Sequence, residues 1–341
     1  MRRFRSGNKT ASILVLALWV VVFITVFAVN IGLRIRQRVT LVARIEDRSQ
    51  LHQAVRAGIK KAIAVLRKDL EQHAQIYTSA GKASRHNNIT DFKDIPIGGR
   101  TLNVFYREDD GGVVKKYYGF QDEERKININ RANRIVLQNL MRVVAGTDED
   151  AAVVLAESII EWREFGQTQA EGFNSEGYYA TLEYPYELKD FEFEVIDELM
   201  LVRGFTPDMY EKVRPYITIY GDGLVNINTA PQAVLLALGL SPAVAQKLLF
   251  VRRGVDELES TKDDYIFYKT FDVATEMTAF VELAEEEIAE IDALNIHRLI
   301  KTNSRYFQIQ SRAYTDPQRP EWQARGVYDS TDNLVVYWRE K

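Results

Sequence analysis

Cysteine is absent from the 341-residue chain, and histidine occurs only four times. The missing thiols exclude disulfides, thiolate metal sites and a cysteine nucleophile. They fit a reducing compartment, or an oxidising one in which the fold needs no disulfide. The histidines form no His-x-x-x-His pair, and the sequence has no nucleophile elbow, phosphate-binding loop or dinucleotide glycine motif. We therefore predict no catalytic residue, no cofactor-binding residue and no enzyme.

Acidic residues are absent from the first 44 positions, which hold eight Lys and Arg. The whole chain has 44 Lys and Arg and 48 Asp and Glu, so the part beyond residue 44 carries 36 basic against 48 acidic residues, a net charge of about −12. Because cationic contacts with phosphate dominate the affinity for nucleic acid, an anionic body disfavours nucleic-acid binding.

Charged residues and proline are both missing from residues 11–33. A helix of that length, rising ~1.5 Å per residue, spans the ~30 Å hydrocarbon core of a bilayer. The run exceeds the ~7–15 residues of a secretory signal core, and no Ala-x-Ala cleavage site follows it. We therefore predict a retained membrane helix instead of a signal peptide. Four basic residues precede the run and four follow it, so charge alone does not set its orientation.

Proline is also missing from Arg34 to Glu71. Apolar residues recur there at spacings of three and four, which is typical of a helix with one buried face: Leu51, Val55, Ile59, Ile63, Leu66 and Leu70. The pattern predicts one helix over residues 11–71, about 90 Å long. Two helices with a break near Gly32 are the alternative, because Gly costs ~1 kcal/mol in a helix interior.

Segments rich in β-branched and aromatic residues flank a helical middle. Residues 100–108 and 113–121, separated by Asp-Asp-Gly-Gly, predict a hairpin. Residues 305–315 and 332–340 predict two more strands, joined by a polar linker with two prolines. We predict an α+β fold: a long N-terminal transmembrane helix packs on a small antiparallel sheet, and a large, mainly helical domain over residues 126–298 is inserted between the strands.

Two Asn-Ile-Asn motifs lie 98 residues apart, in RKININRAN (125–133) and GLVNINTAP (223–231). An apolar helical run follows each of them, which is typical of a helix-hairpin-helix. We predict that the Asn side chains cap turns where the backbone enters each helix.

The turns between the helices decide whether such a hairpin binds phosphate. A phosphate-binding hairpin has Gly-apolar-Gly, whose bare amides approach the phosphate at a helix N-terminus. Here Gly239-Leu240-Ser241 lacks the second glycine, although Ser241 suits an N-cap. A second hairpin is predicted at Gly204-Phe205-Thr206-Pro207, and the nearby cations are Arg203 and Arg252-Arg253. A membrane-anchored DNA-binding protein of the DNA-uptake type is therefore the alternative function.

A family resemblance is carried by stretches in a shared order along nearly the whole chain. They are SILVLALWVV (12–21), QAVRAGIKKAIAVL (53–66), KININRA (126–132), LAESIIEWRE (155–164) and the segments 196–221 and 225–249. These stretches resemble the minor pseudopilin of type II secretion systems called general secretion pathway protein K. They correspond to its membrane-entry segment, its Ala-x-Ala-Gly helix, its first Asn-x-Asn motif, its Asp-Trp-Arg-Asp helix and its most distinctive region.

The resemblance implies a non-enzymatic structural subunit at the tip of the periplasmic pseudopilus. Such a subunit helps to start pseudopilus assembly for protein export across the outer membrane. The implied partners are two other minor pseudopilins in a tip heterotrimer, the major pseudopilin, prepilin peptidase and the inner-membrane assembly platform. The implied location is the bacterial inner membrane, with a single pass, a cytoplasmic N-terminus and a periplasmic body.

The resemblance and the sequence patterns together divide the chain into five parts. We expect a basic leader (1–11), a transmembrane helix (12–33), a pilin-like helix with the first strands (34–125), an inserted helical domain (126–298) and the C-terminal strands of the pilin-like sheet (299–341).

The resemblance also implies cleavage by prepilin peptidase, which prefers Gly before the cut. The register of the apolar run puts Ala11 at that position, with Ser12 as the new N-terminus, and Gly7 with Asn8 is the alternative pair. Ordinary pilins carry an acid at the fifth mature residue, whereas Leu16 or Ser12 stands there in this chain. A tip subunit has no neighbour ahead to pair with such an acid, and an unpaired charge in lipid costs a few kcal/mol or more.

Some members of the family bind calcium in the helical domain, so the resemblance allows Ca²⁺ here, with no ligand residue assigned. The acidic clusters at residues 148–150, 263–264 and 285–287 lack the spacing of a calcium loop. The metal site is therefore left unknown, and no other cofactor is predicted.

Overall fold

The computed structural model describes residues 9–75, 89–110, 113–164, 176–255, 264–316 and 321–341. The α-helices in these ranges are α1 (Lys9–Gln75), α2 (Ile89–Phe92), α3 (Arg134–Leu140), α4 (Glu149–Arg163), α5 (Glu176–Ala180), α6 (Pro207–Val213), α7 (Gln232–Ala237), α8 (Pro242–Arg253), α9 (Val273–Met277) and α10 (Glu285–Ile296). A π-helix follows α3 at Met141–Ala145, and 3₁₀ turns lie at Ile196–Leu201, Arg214–Tyr216 and Thr270–Asp272.

The strands are short in the middle of the chain and longest at its C-terminal end. They are β1 (Ile95–Ile97), β2 (Arg100–Val104), β3 (Tyr106–Asp110), β4 (Val113–Tyr117), β5 (Phe120–Asp122), β6 (Ile127–Asn128), β7 (Ile217–Thr218), β8 (Val225–Asn226), β9 (Ile300–Lys301), β10 (Tyr306–Tyr314), β11 (Trp322–Asp329) and β12 (Leu334–Glu340).

Helix α1 runs without a break from Lys9 to Gln75, so the single long helix is confirmed and a break near Gly32 is wrong. At ~1.5 Å per residue it is about 100 Å long. Residues 13–46 are exposed along their whole length. Within the described residues, α1 is the helix that is long and apolar enough to cross a membrane. Polar side chains in its apolar part are satisfied internally: Asn30 Nδ2 donates to the Val26 carbonyl at 2.9 Å.

The main sheet is antiparallel, with strand order β1-β2-β10-β11-β12, and β5 also pairs with β10. Strand β10 lies beside β2, with Ser311 opposite Val104, and beside β5, with Phe307 opposite Asp122. Strands from before and after the helical middle are therefore neighbours, and the helical residues leave and rejoin one sheet. The predicted α+β architecture is confirmed.

Strand β11 corrects the sequence prediction, which placed a polar linker between the last two strands. Trp322–Asp329 instead forms a strand between β10 and β12. It pairs with β10 from Ala313 opposite Trp322 to Tyr306 opposite Asp329. Its outward residues Gln323 and Arg325 are polar, which hid the strand pattern.

The predicted hairpin over residues 100–121 is divided between two sheets. Strand β2 joins the main sheet, whereas β3 and β4 form a separate pair with Tyr106 opposite Tyr117. The chain changes sheet at Phe105, whose N–H donates to the Gln310 carbonyl at 3.0 Å. The two glycines of the predicted turn lie outside the described residues.

One hydrophobic core lies between the second half of α1 and the main sheet. The helix contributes Leu51, Val55, Ile59 and Leu66, all buried, whereas Ile63 is half-buried and Leu70 is exposed. The sheet side of this core consists of Leu102, Val104, Phe120, Phe307, Ile309, Ala313, Ala324 and Tyr328. The buried stripe is therefore shorter than the sequence spacing predicts, with Leu66 as its last buried member.

Gly58 permits the close approach of α1 to this sheet. A Cβ at that position would lie 2.8 Å from Leu102 Cδ1 and would also collide with Ser311 Oγ. Only a residue without a side chain lets the helix backbone rest directly on β2 and β10.

The second core lies in the helical middle and extends from Ile127 to Ile300. Two short parallel strand pairs frame it, with Ile127 opposite Ile217 and Val225 opposite Ile300. The predicted helix after Ser241 is confirmed: Ser241 Oγ accepts from the Val244 N–H at 3.4 Å, and Gly254 ends α8 with φ of 65°.

Candidate functional site

The first Asn-Ile-Asn motif ties three distant segments together. Asn128 Nδ2 donates to the carbonyls of Tyr220 and Gly221 at 3.0 and 3.1 Å. Asn130 holds the backbone of Phe193 from both sides: its Nδ2 donates to the carbonyl at 3.0 Å, and its Oδ1 accepts from the N–H at 2.8 Å. Both Asn side chains are buried, so they fix the fold of the helical domain from inside.

The second motif repeats this arrangement. Asn226 Nδ2 donates to Asp122 Oδ2 at 3.0 Å and to Ser304 Oγ at 2.9 Å. Asn228 holds the backbone of Phe267 through one donated and one accepted bond, both 2.8 Å. In each motif the first Asn side chain also accepts from the N–H of the second Asn. The prediction that these side chains cap turns is confirmed, and their long-range bonds extend it.

An arginine near the end of the second helix after each motif, α4 or α8, bonds back to the motif. Arg163 Nη2 donates to the Ala132 carbonyl at 2.9 Å, and Arg252 Nη1 donates to the Ala230 carbonyl at 2.6 Å. These two alanines occupy the same place in the two motifs. Arg252 is buried. It therefore belongs to the interior and is not one of the surface cations that the DNA-binding alternative would need.

The hairpin turn after the second motif already has an acidic partner. The N–H of Ser241 donates to Glu290 Oε2 of α10 at 2.8 Å. In a phosphate-binding hairpin this amide faces the ligand, and a carboxylate at that point would repel phosphate. At the other predicted hairpin, Thr206 Oγ1 accepts from the Met209 N–H at 3.3 Å, and Gly204 packs against Leu155. Both turns therefore serve helix packing.

The connection between the sheet and the helical domain is a run of five charged residues, 122–126, all buried. Asp122 Oδ2 accepts from Asn226, from Thr229 Oγ1 at 2.6 Å and from Ser304 Oγ at 2.6 Å. Glu124 pairs with Lys301 Nζ at 2.5 Å and also accepts from the Arg305 N–H. The outgoing and returning chains are thus joined through two carboxylates.

The same run contains a buried ion pair. Lys126 Nζ donates to both carboxylate oxygens of Glu123 at 2.9 Å. Burial lowers the pKa of the Lys126 ammonium below its usual value, although the Glu123 carboxylate opposes this. Arg125 pairs with Glu108 of β3, which attaches the small two-stranded sheet to the connection.

Glu340 of the edge strand β12 fixes α1 beside the sheet. Its carboxylate pairs with Arg56 Nε at 2.9 Å and with His52 Nε2 at 2.5 Å, and it accepts from Trp338 Nε1 at 2.8 Å. Burial alone would raise the pKa of Glu340, but the hydrogen bonds from Arg56 and Trp338 outweigh it and lower the pKa. The side chains of β12 around this contact remain exposed, including Leu334, Val335, Val336 and Trp338.

Helix α1 leaves an apolar face uncovered between the membrane span and the sheet. Val39, Leu41, Val42 and Ile45 are all at least half-exposed. At 3.6 residues per turn they gather on one side of the helix, whereas Thr40 and Arg44 lie on the other. This face and strand β12 are two surfaces of the described pilin-like part that can pack against other helices and strands.

The candidate cleavage residues lie at the start of α1. Ala11 and Ser12 are within the helix, and their side chains are outside the described set. Gly7 and Asn8 lie outside the described residues altogether. The processing position therefore stays a prediction.

A calcium ion needs several oxygen ligands around one point, most of them from carboxylates and carbonyls. Among the described residues, no group of three or more His, Asp or Glu side chains is placed to hold a metal ion. Asp148 caps α4 by accepting from the Ala151 N–H at 2.8 Å, and Asp122 and Glu124 are engaged as described. The described acids therefore do not fit a calcium site. Asp263 and the rest of 256–263 lie outside the described residues.

Comparison with known proteins agrees with the fold. The family model "Type II secretion system (T2SS), protein K" matches residues 113–222, the region that carries the first Asn-Ile-Asn motif and the Glu-Trp-Arg-Glu helix end. No curated protein matches the chain. A chain of the crystal structure of the GspK-GspI-GspJ complex from the enterotoxigenic Escherichia coli type 2 secretion system superposes with a TM-score of 0.60.

That structural match covers 88% of this chain and 99% of the other, at 14% sequence identity. At this identity the likeness shows the fold. The family model and the fold together confirm the resemblance to type II secretion protein K, and residues 113–222 are the part that matches that family's model. Nothing found favours the DNA-binding alternative.

Proposed function

We propose that this chain is a minor pseudopilin of the type II secretion protein K family and that it works without catalysing a reaction. The observation that carries the proposal is the combination of the matched domain at residues 113–222 with a helix that continues unbroken from an apolar span into a pilin-like sheet. A helix of this kind anchors the subunit and packs beside the helices of its neighbours.

The position we propose is the tip of the pseudopilus. The helical domain, taken as residues 126–298, is far larger than the sheet into which it is inserted. Subunits in the body of a fibre are stacked closely, so this bulk would collide with a neighbour, whereas the end of the fibre leaves space for it. The absence of an acid at Leu16 or Ser12 supports the same position, because no subunit ahead offers it a partner.

We propose two other minor pseudopilins as direct partners, in a 1:1:1 tip complex. The structurally similar chain comes from a complex of three such proteins, GspK, GspI and GspJ. The contact would use the uncovered face of α1 around Val42 and the exposed edge strand β12, and not the Asn-Ile-Asn hairpins, whose polar groups are used internally. The major pseudopilin, prepilin peptidase and the inner-membrane assembly platform would be met during assembly.

The proposed location is the inner membrane, with residues 12–33 as the single span and 1–11 as a cytoplasmic leader. The pilin-like parts, 34–125 and 299–341, and the inserted domain would then form a periplasmic body. This orientation makes Arg34, Arg36 and Arg38 periplasmic.

Co-purification of the full-length chain with its two partner pseudopilins from membranes tests the proposal. Val42→Asp places a charge on the uncovered apolar face and should abolish the complex. Thr40→Asp adds the same charge on the opposite side of the helix, about 160° from Val42, and should leave the complex intact. Equal loss in both variants, or a chain that labels the whole length of the fibre in micrographs, would contradict the tip role.

Processing is tested by mass spectrometry of the N-terminus after co-expression with prepilin peptidase. We expect a product that begins at Ser12, or at Asn8 if the glycine rule dominates. An intact Met1 product with an active peptidase would show that the chain is not processed.

A further inference from the structure

Three arginines come directly after the apolar span, and among the described residues none of the three has a protein partner. Arg34, Arg36 and Arg38 are exposed on the unbroken helix α1. Within the described residues their guanidinium groups make no ion pair and no hydrogen bond. The nearest acidic residue in sequence is Glu46, more than two helical turns beyond Arg38. The charges must therefore be compensated by something other than the described parts of this chain.

Their depth places all three in the layer of lipid headgroups. A bilayer of ~40–45 Å with a ~30 Å hydrocarbon core has a polar layer of roughly 5–8 Å on each side. If the core ends at Leu33, the helical rise puts Arg34 about 2 Å and Arg38 about 8 Å beyond it. Arg44, at about 17 Å, lies above the layer. The apolar span thus ends where the arginines begin.

Their directions favour lipid over a protein partner. At about 100° per residue, Arg34 and Arg38 lie about 40° apart, while Arg36 points to the opposite side of the helix. A neighbouring helix covers only one side, so it would leave either Arg36 or the pair Arg34 and Arg38 uncovered. Headgroups surround a membrane helix on every side at the same height.

We propose that Arg34, Arg36 and Arg38 form a ring that binds the phosphate groups of anionic phospholipids, in the leaflet on the same side as the folded body. The planar guanidinium forms paired hydrogen bonds with phosphate oxygens, which suits this ligand better than a single ammonium would. The ring fixes the depth of the span, and the ~18 Å of helix from residue 39 to 50 carries the body away from the lipid surface. The inference depends on the span crossing the membrane and not on the tip role.

The test uses the full-length chain reconstituted in nanodiscs with equal phosphatidylglycerol and phosphatidylcholine. Native mass spectrometry then reports the lipids retained as the disc is stripped. Wild type should retain phosphatidylglycerol preferentially. The triple variant R34Q/R36Q/R38Q should lose that preference, by about fivefold for each arginine at physiological salt. The leader cations Arg2, Arg3, Arg5 and Lys9 remain in both proteins and contribute equally.

A matched control removes three exposed cations that lie away from the membrane: K60Q/R142Q/R298Q. Its lipid preference should equal that of wild type. Equal loss in both triple variants, or no loss in the ring variant, would overturn the proposal. Added inorganic phosphate that displaces the lipid at millimolar concentration would show a free-phosphate site instead. If the ring variant keeps its lipid preference but no longer joins the partner pseudopilins, the arginines contact protein and the proposal is wrong.

Discussion

Asn228 holds Phe267 by its backbone: the Asn Nδ2 donates to the Phe carbonyl, and the Asn Oδ1 accepts from the Phe N–H, each at 2.8 Å. Asn130 does the same to Phe193, at 3.0 and 2.8 Å. Both phenylalanines are buried. The helical domain therefore uses one device twice, once in the half that begins at the first Asn-Ile-Asn motif and once in the half that begins at the second.

Replacing either asparagine by alanine should open its own half of the domain. Asn228→Ala leaves a buried carbonyl and a buried N–H without partners, at ~1–3 kcal/mol each. Hydrogen exchange of the full-length protein should accelerate around residues 264–268, and Asn130→Ala should act around residues 191–195. Asn303→Ala, at an exposed position, should change little. Faster exchange over the whole molecule in the Asn228 variant would contradict the local role.

Gly58→Ala should loosen α1 from the sheet. The new Cβ would meet Leu102 Cδ1 at 2.8 Å and would press on Ser311 Oγ. Overpacking of this kind typically costs ~1–3 kcal/mol. Adding Ser311→Gly should recover part of the loss, since it removes one of the two colliding groups. The matched control is Gly177→Ala in α5, where a Cβ meets nothing within 4 Å. The denaturant midpoints of wild type, Gly58→Ala, Gly58→Ala with Ser311→Gly, and Gly177→Ala check this. We expect the lowest midpoint for Gly58→Ala alone.

Asp329 gives the sheet a defined acid sensitivity. The hydrogen bonds from Arg305, at 2.7 and 2.6 Å, together with backbone N–H groups, lower the pKa of Asp329 to about 2. In an unfolded chain the pKa of an aspartate carboxyl is ~3.9. Because the folded pKa is depressed, the stabilisation is present above the unfolded pKa and is lost as pH falls from about 4 to about 2.

Asp329→Asn should therefore be less stable than wild type at neutral pH, and the difference should shrink through that window. Unfolding midpoints measured from pH 7 to pH 2 check this. Asp208→Asn, which breaks an exposed helix pair with Lys212, should give only a small difference. A stability difference between the Asp329 variant and wild type that does not change with pH would exclude the charged pair as its cause.

Arg252→Ala should destabilise the second half of the helical domain, because the buried guanidinium donates to the Ala230 carbonyl at 2.6 Å. A hydrogen bond with a charged donor contributes ~1.5–3 kcal/mol. Arg163→Ala should weaken the first half in the same way. Thermal unfolding of both variants, with exposed Arg298→Ala as the control, measures the effect. An unchanged unfolding temperature of Arg252→Ala would show that this side chain does not stabilise the fold from a buried position.

The sequence predicts the parts of the fold that depend on local pattern. The unbroken α1 follows from the absence of proline and the spacing of Val55 and Ile59. Strands β10 and β12 follow from their aromatic and β-branched residues. Strand β11 was missed because Gln323, Arg325 and Gly326 are not typical strand residues, and its strand form depends on being paired on both sides. Phe105 divides the first predicted hairpin for a similar reason, since the Gln310 carbonyl that it binds is distant in sequence.

The motif residues were identifiable, but their partners were not. Asn130 and Asn228 stand out by repetition, and a turn-capping role is their ordinary local reading. Their bonds to Phe193 and Phe267 span 63 and 39 residues, which no local pattern encodes. The sequence shows Arg252 only as a cation near a predicted hairpin, and charged residues are seldom buried. Its bond to the Ala230 carbonyl explains its inward direction.

Asp122 should control how firmly the helical domain is attached to the sheet. One of its oxygens accepts from Asn226, Thr229 and Ser304, and the other accepts from the Glu124 N–H at 2.8 Å. Asp122→Asn replaces one acceptor oxygen by an amide donor, although both oxygens already accept hydrogen bonds. At least one buried donor therefore loses its acceptor, which destabilises the fold by ~1–3 kcal/mol. Hydrogen exchange should accelerate at residues 224–230 and 300–305, while β11 keeps its protection.

Asp222→Asn is the matched control, because Asp222 is an exposed carboxylate that also pairs with Lys301. This variant should leave exchange at the connection unchanged. Because the proposed partner surface lies on α1 and β12, the Asp122 variant should still join the tip complex. Loss of the complex together with unchanged exchange at the connection would show that this carboxylate acts at the partner surface instead.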